Sequence, residues 1–107
     1  MLDERTERHG PRLEALESAI LEGPGELPPA ARRAAAQNEG APEPFAAYVD
    51  TIHRHAYRVT DETVAGLREA GADDDAVFEV SVAAAFGAAR ARLDAGLQAL
   101  RAARDGA

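Results

Sequence analysis

The chain has 107 residues, 26 of them Ala, and carries a net charge of −7 from 19 acidic and 12 basic residues. This length suits one domain, and the acidic balance argues against binding to nucleic acid, whose phosphates require clustered positive charge, and to an anionic membrane surface. The absence of cysteine excludes a disulfide, a thiolate nucleophile and a cysteine-ligated metal.

The N-terminal part of the chain is charged and lacks an apolar stretch of signal-peptide length. We therefore expect a mobile segment at 1–10 and a cytoplasmic protein, since no run approaches the ~20 apolar residues of a membrane span. Gly10-Pro11 predicts the start of a first helix, and Gly23-Pro24-Gly25 predicts its end. Its apolar residues follow helical spacing: Leu13, Leu16, Ile20 and Leu21.

Two further helices are predicted in the first half of the chain. A short Ala-rich helix runs from about Pro29 to Gln37, and a Gly- and Pro-containing loop follows it. A third helix runs from about Phe45 to Arg58, and its apolar residues share a stripe of roughly 100°. The stripe comprises Phe45, Tyr48, Val49, Ile52, Ala56 and Val59.

The fourth helix has recognisable signals at both ends. Thr60 is a suitable N-cap, with acidic residues in the first turn behind it, and Gly71 is suited to the C-terminal end. Val64 and Leu67 form its predicted core face.

A long fifth helix is predicted from Asp73-Asp74-Asp75 to about Arg104. The acidic triplet favours a capping role, since the spacing of an EF-hand calcium loop is absent. Gly87 and Gly96 each cost about 1 kcal/mol relative to Ala within a helix, which predicts close approach by another helix, from the same chain or another subunit. The predicted core stripe is Phe78, Val82, Ala85, Phe86, Ala89, Leu93, Leu97 and Leu100.

The end of the third helix concentrates polar groups that could carry chemistry. These are His53, Arg54, His55, Tyr57 and Arg58. The two histidines are two residues apart and point in different directions on a helix, so they cannot chelate one metal ion. Each is either a boundary residue with a satisfied hydrogen bond or a general acid or base; the arginines and the tyrosine are candidate ligand-binding residues.

Glu79 is the third catalytic candidate, because it lies among apolar residues on the fifth helix. It is either a structural partner of His53, Arg54 or Arg58 or a catalytic base. Arg90 and Asp94 are four residues apart and predict an intrahelical ion pair. We expect no metal and no cofactor.

From Phe45 onward the sequence YVDTIHRHAYRVTDETVAGLREAGADDDAVFEVSVAAAFGAARARLDAGL resembles the alkylhydroperoxidase-D-like (AhpD-like), or carboxymuconolactone decarboxylase, family. The stretch GELPPAARRAA resembles the family's entry helix more weakly. The resemblance implies an all-α, five-helix AhpD-like domain that assembles as a dimer, trimer or hexamer through its helix faces.

The resemblance also separates two branches of chemistry. The redox branch uses a Cys-x-x-Cys pair and a later His, which would fall on Ala56, Val59 and Thr63, so hydroperoxide reduction through cysteines is excluded. The decarboxylase branch works by proton transfer, for which His53 and His55 are available, although the resemblance assigns its catalytic His to neither.

Two functions follow. The first is a helical homo-oligomer without thiol peroxidase activity that binds a small ligand, such as an organic acid, or a protein partner. The second is a cysteine-independent decarboxylase or isomerase acting on a small organic acid or lactone. In it His53 or His55 with Glu79 moves the proton and Arg54 or Arg58 holds the carboxylate. The second requires a His, Glu79 and an Arg to converge on one pocket.

Overall fold

The computed structural model describes the backbone of residues 2–106 and the side chains of residues 10–106. Within this range the chain is all-helical, as predicted, and contains no strand. The helices are α1 (Leu2–Glu22), α2 (Pro29–Gln37), α3 (Ala46–His55), α4 (Asp61–Glu69) and α5 (Asp74–Gly106), with a 3-10 turn at Ala56–Arg58 after α3. None of these helices is long and apolar enough to cross a bilayer.

The first helix begins at Leu2, earlier than the predicted start at Gly10-Pro11. Residues 2–9 contain no Gly or Pro, and the helix continues through Pro11, which forfeits one backbone hydrogen bond. The predicted mobility of segment 1–10 falls largely outside the described side chains and stays a prediction.

The caps of α4 and α5 form as predicted. The hydroxyl of Thr60 accepts from the backbone N–H of Thr63, and Thr63 completes a capping box. Gly71 adopts a left-handed φ of 97° just after the cap residue, and its N–H donates to the carbonyl of Arg68, which closes the last turn of α4. Asp73 caps α5 by accepting from the N–H of Asp75 at 2.9 Å.

The core lies where α2 and α3 pack against the first half of α5. Small residues permit this contact: a methyl group on Gly87 would collide with the backbone of Ala36 in α2. The predicted approach of another helix at Gly87 is therefore confirmed within the chain. The buried hydrophobic residues include Phe45 just before α3, Tyr48, Val49 and Ile52 of α3, Leu67 of α4, and Ala76, Val77, Val80, Ala83, Ala84 and Ala88 of α5.

The predicted core stripe of α5 is wrong, because that face points away from the core. Phe78 is 69% exposed and Leu100 is 57% exposed, whereas Val80 is fully buried. At 3.6 residues per turn the two faces of the helix are centred about 180° apart. We call the exposed one the outer face; it consists of Phe78, Val82, Ala85, Ala89, Leu93, Gly96 and Leu100. Small side chains occupy the core because Ala and Val allow α2 and α3 to approach α5 closely.

Candidate functional site

His53 is held against α2 rather than presented to solvent. Its ring is half-buried, and Nε2 lies 2.8 Å from the carbonyl oxygen of Ala35. A carbonyl only accepts, so this contact requires the proton on Nε2 and leaves Nδ1 as the free acceptor of a neutral ring. Arg92 of α5 donates to the backbone carbonyl of His53 at 3.0 Å. The residue thus joins three helices, and one ring nitrogen already has a structural partner.

The other polar residues at this end are exposed, and the α-helix ends earlier than predicted. The sequence predicts a continuous α-helix to Arg58, but α3 ends at His55, and the backbone tightens into the 3-10 turn. Tyr57 is 78% exposed. His55 meets its ring edge-on, with centroids 5.8 Å apart, and the Arg58 guanidinium lies 5.7 Å from the ring centroid. Ala56, predicted to be in the core, is exposed as well.

Arg54 is engaged by a neighbour on its own helix. Its Nε donates to Oδ1 of Asp50 at 2.7 Å, and the same oxygen accepts from the amide of Asn38 at 2.9 Å. These two hydrogen bonds, that from Asn38 first, lower the pKa of Asp50. The predicted ligand-binding Arg54 is therefore part of an exposed pair that links α3 to the end of α2.

Glu79 binds backbone, not a histidine or an arginine. Its carboxylate accepts from the N–H of Glu26 at 2.8 Å and from that of Leu27 at 2.9 Å. A methyl group on Gly25 would lie 2.5 Å from its Oε1. The predicted pairing of Glu79 with His53, Arg54 or Arg58 is therefore wrong; the partner is the loop between α1 and α2, whose backbone donors no helix satisfies.

Arg32 is the structural residue that the sequence did not reveal. Only 3% of it is exposed, and its guanidinium donates to the carbonyls of Ile20 at 3.0 Å and Gly23 at 2.6 Å. These carbonyls end α1 and have no helical partner of their own. One signal was available, since a loop as short as GPGELPP must find outside donors for the last carbonyls of α1.

The single chain does not bring the predicted catalytic groups together. Among the described side chains, no hydrogen bond or ion pair joins Glu79 to His53, His55 or Arg58. Glu79 instead lines a small cavity of about 250 Å³ with Arg32, close to Phe78 on the outer face. The described residues also contain no cluster of His, Cys, Asp or Glu that could hold a metal ion.

A groove of about 480 Å³ lies between α1, α2 and α5. Arg33 pairs with Glu22 at 2.6 Å on one side, and Arg90 pairs with Asp94 at 3.2 Å on the other, as predicted. Nη1 of Arg90 is buried and has no hydrogen-bond partner among the described residues. The apolar floor comprises Leu21, Ala36, Phe86, Gly87 and Ala91.

Comparisons of the chain with protein-family models, with curated proteins and with solved structures found no match.

Proposed function

We propose that the chain is an AhpD-like, carboxymuconolactone decarboxylase-type helical protein that has no thiol peroxidase activity, associates with itself and binds a small ligand or a protein partner. The observation that carries this proposal is the pair of apolar faces on α5. A helix that is apolar on opposite faces requires cover on both. The chain covers one and leaves Phe78, Leu93 and Leu100 exposed on the other.

The second half of α5 gives independent support. Ala88 is the last buried residue of a helix that continues to Gly106, and in the roughly 27 Å of helix beyond it only Arg90, Leu97 and Arg101 are half-buried. A helix of this length is only marginally stable without packing. The radius of gyration of 16.0 Å also exceeds the ~13 Å of a compact domain of this length.

Arg90 supports a small organic acid as the ligand. The groove combines an apolar floor with a buried, unpaired guanidinium nitrogen, and a carboxylate is one of the anions whose geometry matches a guanidinium. The groove also carries acidic side chains, Glu14 and Glu17 among them. These favour a monocarboxylate with an apolar body over a polyanion.

The decarboxylase or isomerase alternative requires a second chain. Glu79 and Arg32 line a cavity beside Phe78, at the edge of the outer face. Self-association at this face would bring groups from the partner next to Glu79. His55 is exposed and contacts only the edge of the Tyr57 ring among the described side chains, so it is available to such a shared site.

The first experiment is size-exclusion chromatography with light scattering, followed by native mass spectrometry, over about a hundredfold range of concentration. We expect a closed oligomer, and a strictly monomeric chain would contradict the proposal. Titration calorimetry of the oligomer with aliphatic and aromatic monocarboxylates then tests the ligand. Arg90→Gln should abolish binding, whereas Arg58→Gln, at the exposed end of α3, should leave it unchanged. Turnover of a lactone that His55→Ala abolishes would favour the enzyme.

A further inference from the structure

The outer face of α5 is symmetric about its midpoint. Ala89 lies eleven residues from both Phe78 and Leu100, seven from Val82 and Gly96, and four from Ala85 and Leu93. The steps between successive members are fours and threes, the spacing of a seam between two packed helices. Such a seam can face a second copy of itself in either direction.

Side-chain volume favours the antiparallel direction. With a two-fold axis at Ala89, each Leu93 faces the small Ala85 of the other copy, and each Val82 faces Gly96. A parallel pair would instead place Gly96 against Gly96 and Phe78 against Phe78. In the parallel pair, small residues would face small ones and leave voids, and large residues would face large ones and collide. In the antiparallel pair, the facing side chains have more nearly equal total volumes along the seam.

Charge at the two ends of the face favours the same direction. Asp75 lies at its N-terminal end and Arg104 at its C-terminal end, about 40° and about 60° from the centre of the outer face and on the same side of it. The Asp75 carboxylate has no ion-pair partner among the described residues, and Arg104 has only Asp105 at 3.7 Å. An antiparallel pair brings Asp75 of each copy next to Arg104 of the other, and it also opposes the two helix dipoles.

Gly96 gives a third reason to expect a second helix against the outer face. A methyl group at Gly96 would meet nothing within 4 Å among the described residues, so none of them requires glycine there. Gly87, in contrast, is required to be glycine because a methyl group there would collide with the backbone of Ala36. A second helix packed against Gly96 explains why this position is glycine.

We propose that two copies of this chain pair through the outer faces of α5, antiparallel, about a two-fold axis at Ala89. The pairing rests on the proposed self-association and specifies its geometry. Phe78, Leu93 and Leu100 are buried in the pair, and the paired helices form the base on which any larger assembly is built.

A charge exchange tests the direction. Asp75→Arg and Arg104→Asp should each weaken the dimer about tenfold, since each creates two like-charge contacts. The double variant should restore the wild-type dissociation constant, and low salt should enlarge the differences. Each change is unfavourable to the helix dipole in both arrangements, so recovery in the double variant reports the contact between copies. Circular dichroism of each monomer controls for folding.

Because the chain has no cysteine, a single introduced cysteine gives a second test of the pairing by disulfide cross-linking. Helices packed 8–10 Å apart place facing Cα atoms about 3.4–5.4 Å apart, which overlaps the range of a disulfide. Under mild oxidation Ala89→Cys should give a covalent dimer. The control Ala95→Cys, equally exposed but on the other side of the helix, should stay monomeric on a non-reducing gel. Gly96→Ala should weaken the dimer about tenfold while leaving the single chain folded.

The outcomes separate the two proposals. A wild-type chain that stays monomeric overturns self-association and the pairing together. A stable oligomer in which the double charge exchange restores nothing, or in which Ala89→Cys forms no cross-link, overturns only the antiparallel pairing. Recovery in the double variant together with the Ala89→Cys dimer establishes it.

Discussion

Arg32 and Glu79 hold the loop between α1 and α2 from two different helices. Arg32 satisfies carbonyls at the end of α1, and Glu79 satisfies the N–H groups of Glu26 and Leu27. The positive charge of Arg32 faces carbonyl oxygens and the negative charge of Glu79 faces N–H groups, as charged groups do at helix ends. The sequence pattern singled out Glu79 but not Arg32, and it could not reveal that the partners of either residue are backbone atoms, because no side-chain pair marks the contact.

Replacing Glu79 by Gln should destabilise the fold by about 1–2 kcal/mol, because an amide has one acceptor oxygen for two backbone donors and has no charge. Urea unfolding of the monomeric chain measures this difference. The control Glu69→Gln changes an exposed carboxyl at the end of α4 and should stay within about 0.5 kcal/mol of wild type. A stable Glu79→Gln variant with a lost activity would instead identify a catalytic base.

The crossing of α2 and α5 is fixed by the absence of a side chain at one position. Gly87→Ala should destabilise the fold by about 1–3 kcal/mol, because the new methyl group would meet the backbone of Ala36, which cannot rotate away. Gly66→Ala, in α4 and facing open space, should stabilise it by up to about 1 kcal/mol through helix propensity. Denaturant unfolding of both variants separates packing from propensity. Equal effects at the two glycines would contradict the close crossing.

Helix identity and helix ends follow from local signals, so most of the elements were predictable. Thr60 and Gly71 act through their own neighbours in the chain, and the apolar stripe of α3 from Phe45 to Ile52 is buried as expected. The break after His55 was not predictable, because no Gly or Pro marks it. Tyr57 and Arg58, which follow the break, are exposed and do not join His53 at a common site.

The inward face of α5 depends on tertiary packing, which hydrophobicity alone does not report. Phe78 and Leu93 are larger and more apolar than Ala83 and Ala84, so the pattern favours them for the core. The chain instead buries the small residues, because α2 reaches the helix at Gly87 only where side chains are short. Bulk on the outside and alanine on the inside supports the proposed self-association, in which the exposed face of α5 meets a second chain.

At the scale of the whole molecule, Val80 and Phe78 lie on opposite faces of α5. A substitution at Val80 should therefore affect folding stability, whereas one at Phe78 should affect self-association. Val80→Ala removes methyl groups from a fully buried site and should lower the unfolding free energy by about 2 kcal/mol at every protein concentration. Phe78→Gln should change the stability of the single chain by no more than about 0.5 kcal/mol. It should, however, abolish self-association, because Phe78 is the largest side chain of the outer face.

Calorimetry at several protein concentrations distinguishes the two effects. The Tm of an associating chain rises with concentration. That slope should persist in Val80→Ala, which unfolds at a lower temperature, and should vanish in Phe78→Gln. If Phe78→Gln instead unfolds like a core variant at every concentration, Phe78 belongs to the interior and the outer face of α5 is not an interface. If both slopes persist, the chains meet elsewhere, and the exposed aromatic ring has another partner.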